Sequence, residues 1–361
     1  MTGSSRSRRI VRRLAGALAG TLAALLATEL VWRAVEPGPI APPTIRASDG
    51  AEVPLSTVGT YLGRDAPPAP GAPAASRLTP NLDLRFCYAD LGLDYLDADG
   101  CVRVATNDLG FRDEPFTREK PPGQTRVLAI GDSFTFGNGV RLEDTWVQRL
   151  EGLLEERLGD AEVVNGGFAT GATRVGDYLD WIASDAFAFE PDLLVIGLCL
   201  NDLGDVPMAV KAPPVERRWL GGTSRVLNAL QDRRQRARFE RTPLPDATVL
   251  LDLVPEPWEA ARATLTATRD LCAERGVGLL VVVFPMFFRL ERERYPLLGV
   301  HQRVTEFCAA AEIPCVDLFE TFEGMDGPSL WVHPSDQHAN PRGQAIIADA
   351  LLGPVLERLG E

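Results

Sequence analysis

Between Thr125 and Leu359 the chain alternates two hydrophobic rhythms. Unbroken apolar runs recur: RVLAIG from Arg126, AEVVN from Ala161, DLLVIGL from Asp192, VGLLVVVF from Val277 and PCVDL from Pro314. Runs of this length read as strands buried on both faces. Between them, apolar residues return every three or four positions, as with Val147, Leu150, Leu154 and Leu158, which share one side of a helix predicted over Thr145 to Leu158 with Asp144 as its cap. Further helices are predicted from about Arg174 to Phe187, Pro257 to Arg275, Val300 to Ala311 and Arg342 to Leu359. Strands and helices in strict alternation predict an α/β fold, a three-layer α/β/α sandwich around a mostly parallel central sheet.

The remaining chain has other patterns. Arg6, Arg8, Arg9, Arg12 and Arg13 precede an apolar stretch from Leu14 to Val35, interrupted mainly by Glu29 and Arg33. Residues 1–35 therefore read as a basic tail and one N-terminal transmembrane helix, with the arginines on the cytoplasmic side and Trp32 at an interface; a cleaved signal peptide is the rival reading. Residues 36–80 are rich in Pro, Ala and Gly and predict an extended linker. Residues 81–124 carry short alternating runs around an Asp97–Gly100 turn and predict a small β-rich flap on the main domain, which spans 125–361. Residues 209–246 contain RRWLGGTSR and QDRRQRARFER and read as a basic helical insertion.

Composition narrows the function. With 37 Lys and Arg against 50 Asp and Glu, the formal net charge is −13, which excludes a broad cationic face and gives no nucleic-acid partner. Six cysteines and three histidines contain no CxxC pair, so no metal site is expected. Cys87 with Cys101, and Cys308 with Cys315, flank predicted turns; each pair reads either as a disulfide of an exported domain or as buried thiols.

The chemistry begins at IGDSFTFG, Ile130 to Gly137, where a strand ends in a glycine-bounded turn that carries Ser133. It lacks the glycine spacing of a dinucleotide fingerprint and the lysine of a phosphate loop, so no cofactor is implied, and on local spacing the open choices are a structural turn, a nucleophile and a phosphate-binding turn. Loops at the carboxyl ends of parallel strands converge on one crevice. His338, in the polar stretch LWVHPSDQHANPRG before the last helix, can there meet Ser133 as its base, with Asp336 fixing the imidazole tautomer. Gly167 in VVNGGF and Asn201 in LCLND follow other strands and can supply hydrogen-bond donors to an oxyanion. Asp132 reads as a residue that holds the turn.

These four blocks, Gly131 to Gly137, Asn165 to Gly167, Asn201-Asp202 and Asp336 to Gly343, together resemble the GDSL, or SGNH, hydrolase superfamily in order and content. The upstream TNDLGFRD, Thr106 to Asp113, with the N-terminal apolar segment, is similar to membrane-tethered bacterial members. The resemblance implies a serine esterase with Ser133 as nucleophile, His338 as base and Asp336 as acid, and with Ser133, Gly167 and Asn201 forming the oxyanion hole. It also implies an acylated saccharide or other small O-acetyl or short-acyl ester as substrate. An O-acyltransferase on cell-surface polysaccharide and a catalytically silent tethered binding protein are the alternatives. Cys199 stands where the family usually has glycine two residues before its asparagine, and Ser335 stands where many members carry the acid. A Ser133–His338 dyad and a role for His333 as the base remain open at this point.

Overall fold

A computed structural model describes residues 3–35, 41–48, 50–57, 78–89, 92–168, 175–203 and 218–361. The chain divides into two units, Ala41–Ala209 with Leu244–Glu361, and Met1–Ile40 with Val210–Pro243.

The larger unit opens with a four-stranded antiparallel sheet in the order β2-β1-β3-β4, built from β1 (Thr44–Ala47), β2 (Glu52–Pro54), β3 (Asp83–Cys87) and β4 (Cys101–Ala105). Two of these strands lie in residues that composition assigned to the linker. Ile45, fully buried against Phe86, explains the difference: one β-branched side chain with a register partner on β3 suffices to add a short strand. Linker residues 36–40, 49 and 58–77 lie outside the described ones. Cys87 and Cys101 form a disulfide across β3 and β4.

The central sheet is parallel, in the order β6-β5-β7-β8-β9. Its strands are β5 (Thr125–Gly131), β6 (Ala161–Gly167), β7 (Leu193–Cys199), β8 (Gly278–Phe284) and β9 (Cys315–Asp317). Val127 to Ile130, Leu193 to Ile196 and Val281 to Phe284 are fully buried, as unbroken apolar runs require. From β5 the chain steps outward to β6, then returns across β5 to β7 and moves the other way. With right-handed crossovers, this reversal puts successive helices on opposite faces and creates a switch point between β5 and β7. Five helices complete the layers around α1 (Ser133–Phe136): α2 (Trp146–Leu158), α3 (Val175–Ser184), α4 (Glu256–Arg275), α5 (Leu298–Ala310) and α6 (Pro341–Leu359). Helix α2 packs on α6, and α3 packs on α4. This is the three-layer α/β/α arrangement expected.

Local corrections have simple causes. Thr145, not Asp144, caps α2, because its hydroxyl accepts the Gln148 amide while Asp144 pairs with Arg149. The expected α3 helix stops at Ser184, and Ala186–Phe189 form a separate tight turn; Arg174 lies outside the described residues. The polar stretch before α6 is an antiparallel hairpin of β10 (Trp331–His333) and β11 (Asp336–Ala339). Cys308 and Cys315 remain thiols in hydrogen-bond contact.

In the smaller unit, a helix of Gly3–Val35 contains an apolar stretch, Arg12–Ala34, long enough to cross a membrane, with mean hydropathy 1.8. A second helix, Arg225–Arg241, carries six arginines and falls in the predicted insertion. Glu29 accepts its Ser224 hydroxyl and its Arg225 and Val226 amides, as a carboxylate does at a helix N-terminus. Residues 209–217 of the insertion lie outside the described residues.

Candidate active site

Three glycines lie side by side at the carboxyl edge of the sheet. Gly131 on β5 is in register with Gly167 on β6 and with Gly197 on β7. A Cβ on Gly131 or Gly197 would stand 2.2 or 2.4 Å from Thr135 Oγ1, and one on Gly167 would stand 2.3 Å from the Phe136 amide nitrogen. Helix α1 is therefore seated directly on the sheet at the switch point. Asp132 caps it, Oδ1 accepting the Phe134 amide at 2.9 Å. Ser133 follows as the first helical residue and is 2% exposed.

The β10–β11 hairpin brings in the base from the far end of the sequence. His338 Nε2 lies 2.7 Å from Ser133 Oγ, and His338 Nδ1 lies 2.5 Å from Asp336 Oδ1. The same carboxylate oxygen accepts the His338 amide, which locks acid and base onto one strand. With Asp336 accepting at Nδ1, the neutral tautomer carries its proton there and leaves Nε2 to accept from serine. Burial disfavours the imidazolium, but the Asp336 charge and hydrogen bond outweigh it and hold the His338 pKa above its ordinary value. Burial likewise opposes ionisation of Asp336, yet His338 and the Tyr88 hydroxyl keep its pKa below the usual carboxylate range. Phe134 packs against the imidazole at 5.2 Å between ring centroids.

The expected oxyanion donors converge, though two already have partners. The Asn201 side-chain amide donates to Asp132 Oδ2 at 3.1 Å, so one of its two hydrogens is engaged. The Gly167 amide donates to the Asn165 side chain at 3.1 Å. The Ser133 amide takes no acceptor among the described residues. Cys199, the departure from family pattern, is fully buried, and its amide donates to Asp202 Oδ2. The turn that presents Asn201 thus closes without glycine there.

Asp132 does more than hold the turn. Its second oxygen accepts the Asn201 amide and lies 3.4 Å from Ser133 Oγ, a longer alternative to the 2.7 Å contact with His338 for the single serine hydrogen. Burial raises its pKa against these hydrogen bonds. Arg112, from TNDLGFRD, is 1% exposed and donates to the Phe136, Gly137 and Val140 carbonyls, pinning the loop behind the nucleophile. Asp113, from the same segment, accepts the Asn165 amide at 2.7 Å. The sequence assigned neither residue a role, because a charged pair in the polar run TNDLGFRDEPFTREK gives no sign of burial. His333 does not reach Ser133; its Nδ1 meets Ser335 Oγ at 2.6 Å. Among the described residues no cluster of His, Cys, Asp and Glu is arranged to hold a metal.

The model of the GDSL-like lipase/acylhydrolase family matches residues 129–346. Solved structures similar to this chain include a putative lipolytic protein of the G-D-S-L family from Desulfitobacterium hafniense, 15% identical with a TM-score of 0.40, covering 64% of this chain and 99% of its own. A mutant acetyl-xylooligosaccharide esterase from Geobacillus is 19% identical with a TM-score of 0.41, covering 66% and 96% respectively. A two-domain esterase active on acetylated mannans is 14% identical with a TM-score of 0.41, covering 66% of this chain and 51% of its own. No curated protein matches. With more than half its length matched by the family model, this chain belongs to the GDSL-like lipase/acylhydrolase family of ester hydrolases.

Proposed function

We propose that the protein is a serine esterase that removes short acyl groups, acetyl foremost, through Ser133, His338 and Asp336. The observation that carries the reading is the continuous path from Asp336 Oδ1 through both imidazole nitrogens to Ser133 Oγ, with bonds of 2.5 and 2.7 Å. His338 takes the serine proton as Oγ attacks the ester carbonyl, and the Asp336 carboxylate stabilises the imidazolium that forms. The oxyanion receives the Ser133 amide, the second hydrogen of the Asn201 amide, and the Gly167 amide as it turns from Asn165. His338 then gives its proton to the leaving alcohol, and water releases the acid from the acyl enzyme.

A small acyl group is supported by the packing around the nucleophile. Ser133 is 2% exposed, and the ring of the next residue, Phe134, packs on the His338 imidazole at 5.2 Å and on Phe287 at 5.9 Å between centroids. An extracytoplasmic domain on a membrane anchor is supported by the Arg12–Ala34 apolar stretch and by the Cys87–Cys101 disulfide, which persists in oxidising compartments.

A panel of p-nitrophenyl esters from acetate to decanoate tests the reading. The expected result is highest kcat/KM on acetate or propionate, with stoichiometric release of free acid that is lost in Ser133→Ala. Preference for long chains would overturn the short-acyl assignment, and equal turnover by Ser133→Ala would overturn the nucleophile.

A further inference from the structure

Tyr88 directly follows β3, immediately beyond the disulfide, and packs in the core of the small antiparallel sheet rather than in that of the α/β sandwich. Its hydroxyl donates to Asp336 Oδ2 at 2.7 Å, the oxygen that His338 does not use. The two carboxylate oxygens are thus divided between two elements. Oδ1 holds the histidine of its own strand, and Oδ2 is held by the accessory sheet.

Several features converge on that hydroxyl. Tyr88 is 7% exposed, its amide donates to the Gly100 carbonyl at 3.0 Å, and the neighbouring Cys87–Cys101 bond ties the two strands that carry it. Gly139, with φ of +78°, makes room: a Cβ there would stand 2.6 Å from Tyr88 Oη and 2.5 Å from Val332 Cγ1. Tyr88 also packs at 5.4 Å over the His333 ring in the β10–β11 hairpin. The core beneath the accessory sheet joins Ile45, Phe86 and Val102 to Phe136 and Val140 behind the nucleophile and to Val332 beside the base. That sheet is wedged between the two loops whose separation sets the serine-to-histidine distance.

We infer that Tyr88 is a positioning residue for Asp336, which makes the accessory sheet a part of the active site rather than a flap laid over it. The inference rests on the Ser133–His338–Asp336 reading above. The charged and titratable groups around this point are His338, Asp336 and Asp132, with His333, Tyr95 and Arg112 beside Tyr88. Burial, then the Asp336 charge, pushes the Tyr88 phenol well above its ordinary pKa, so it remains a donor wherever the enzyme works. A donor on Oδ2 does two things. It fixes the carboxylate plane for His338, and it draws off part of the negative charge that raises the His338 pKa.

The full-length protein in detergent, assayed with p-nitrophenyl acetate across pH, tests this. The base must be neutral, so kcat/KM rises through the His338 pKa and the acidic limb of the parent lies above 6.5, the ordinary histidine value. In Tyr88→Phe the carboxylate regains its full charge, and the limb is expected to move up by about half a unit to one unit, with plateau kcat lower by roughly tenfold. Tyr95→Phe is the control, because its hydroxyl comes from the same segment but donates to the Val332 carbonyl at 2.5 Å. Its limb should stay at the parental pH whatever happens to the melting temperature. Site-specific 3-fluorotyrosine at position 88, nearly the same shape but a stronger donor, should move the limb down, and it serves if Tyr88→Phe fails to fold. A limb that stays in place or moves the other way in either Tyr88 variant overturns the proposal. Ser133→Ala in the same assay separates the two readings: if it is inactive and the Tyr88 limb is unmoved, only the positioning role falls, and if it is active, both fall.

Discussion

Two histidines of the α/β domain each lay Nδ1 against an aspartate, and the two pairs are built in opposite senses. In the first, His338 keeps 23% of its side chain exposed while Asp336 keeps 5%; in the second, His301 is fully buried while Asp317 keeps 24%. Nε2 of His338 meets Ser133 at 2.7 Å, whereas Nε2 of His301 meets the Tyr295 hydroxyl at 3.1 Å. Tyr295 in turn accepts the Met286 amide at 3.0 Å, which fastens the loop after β8. The contrast teaches that a histidine–aspartate bond is not in itself a catalytic device. A sealed acid and an accessible imidazole favour charge developing on the ring, and a sealed imidazole beside an accessible acid makes a brace.

The contrast breaks most sharply on replacement of the two histidines. His338→Ala is expected to reduce kcat by roughly 10⁴-fold or more with the fold retained, since triad members act as a unit. Removal of one oxyanion donor comes next. Asn201→Ala should cost about 10² to 10³ in kcat with little change in KM, measured on the same acetyl ester, and unchanged turnover would take Asn201 out of the mechanism. The smallest catalytic effect belongs to the brace. His301→Phe should keep kcat within about tenfold of the parent while lowering stability by about 2 kcal/mol, as the buried Tyr295 hydroxyl keeps the Met286 amide but loses the acceptor for its hydrogen. Thermal melts beside kinetics check both halves, and a catalytic loss at His301 that matches His338 would erase the distinction.

Much of this was legible in the sequence, for reasons that also explain what was not. Unbroken runs such as Val281 to Phe284 report burial on both faces, so the parallel sheet could be read directly. Ser133, Gly167 and Asn201 each lie at or just beyond the end of a strand of the parallel sheet, and such ends share one edge, whereas His338 lies in the antiparallel β10–β11 hairpin, which its polar stretch did not announce. Neither signal carries register. That Gly131, Gly167 and Gly197 form one row under α1 depends on strand alignment, and a Cβ clash with Thr135 or Phe136 is invisible along the chain. Tyr88 is farther from view, because its partner lies 248 residues away and the composition of the preceding linker hid strands β1 and β2 of its sheet. His301 falls in the helix predicted over Val300 to Ala311, and only packing reveals its contacts with Tyr295 and Asp317. Thr145 displaced Asp144 as a cap by one position, a difference that propensity does not resolve since both residue types cap well.

The central claim is that Ser133 is the nucleophile and that His338, not His301, activates it. Labelling with a fluorophosphonate probe, read by intact mass and peptide mapping, tests it most directly. The account predicts one adduct per chain on Ser133 in the parent and in His301→Phe, greatly slowed labelling in His338→Ala, and none in Ser133→Ala. An adduct on another residue, or equal labelling of the parent and Ser133→Ala, would contradict it.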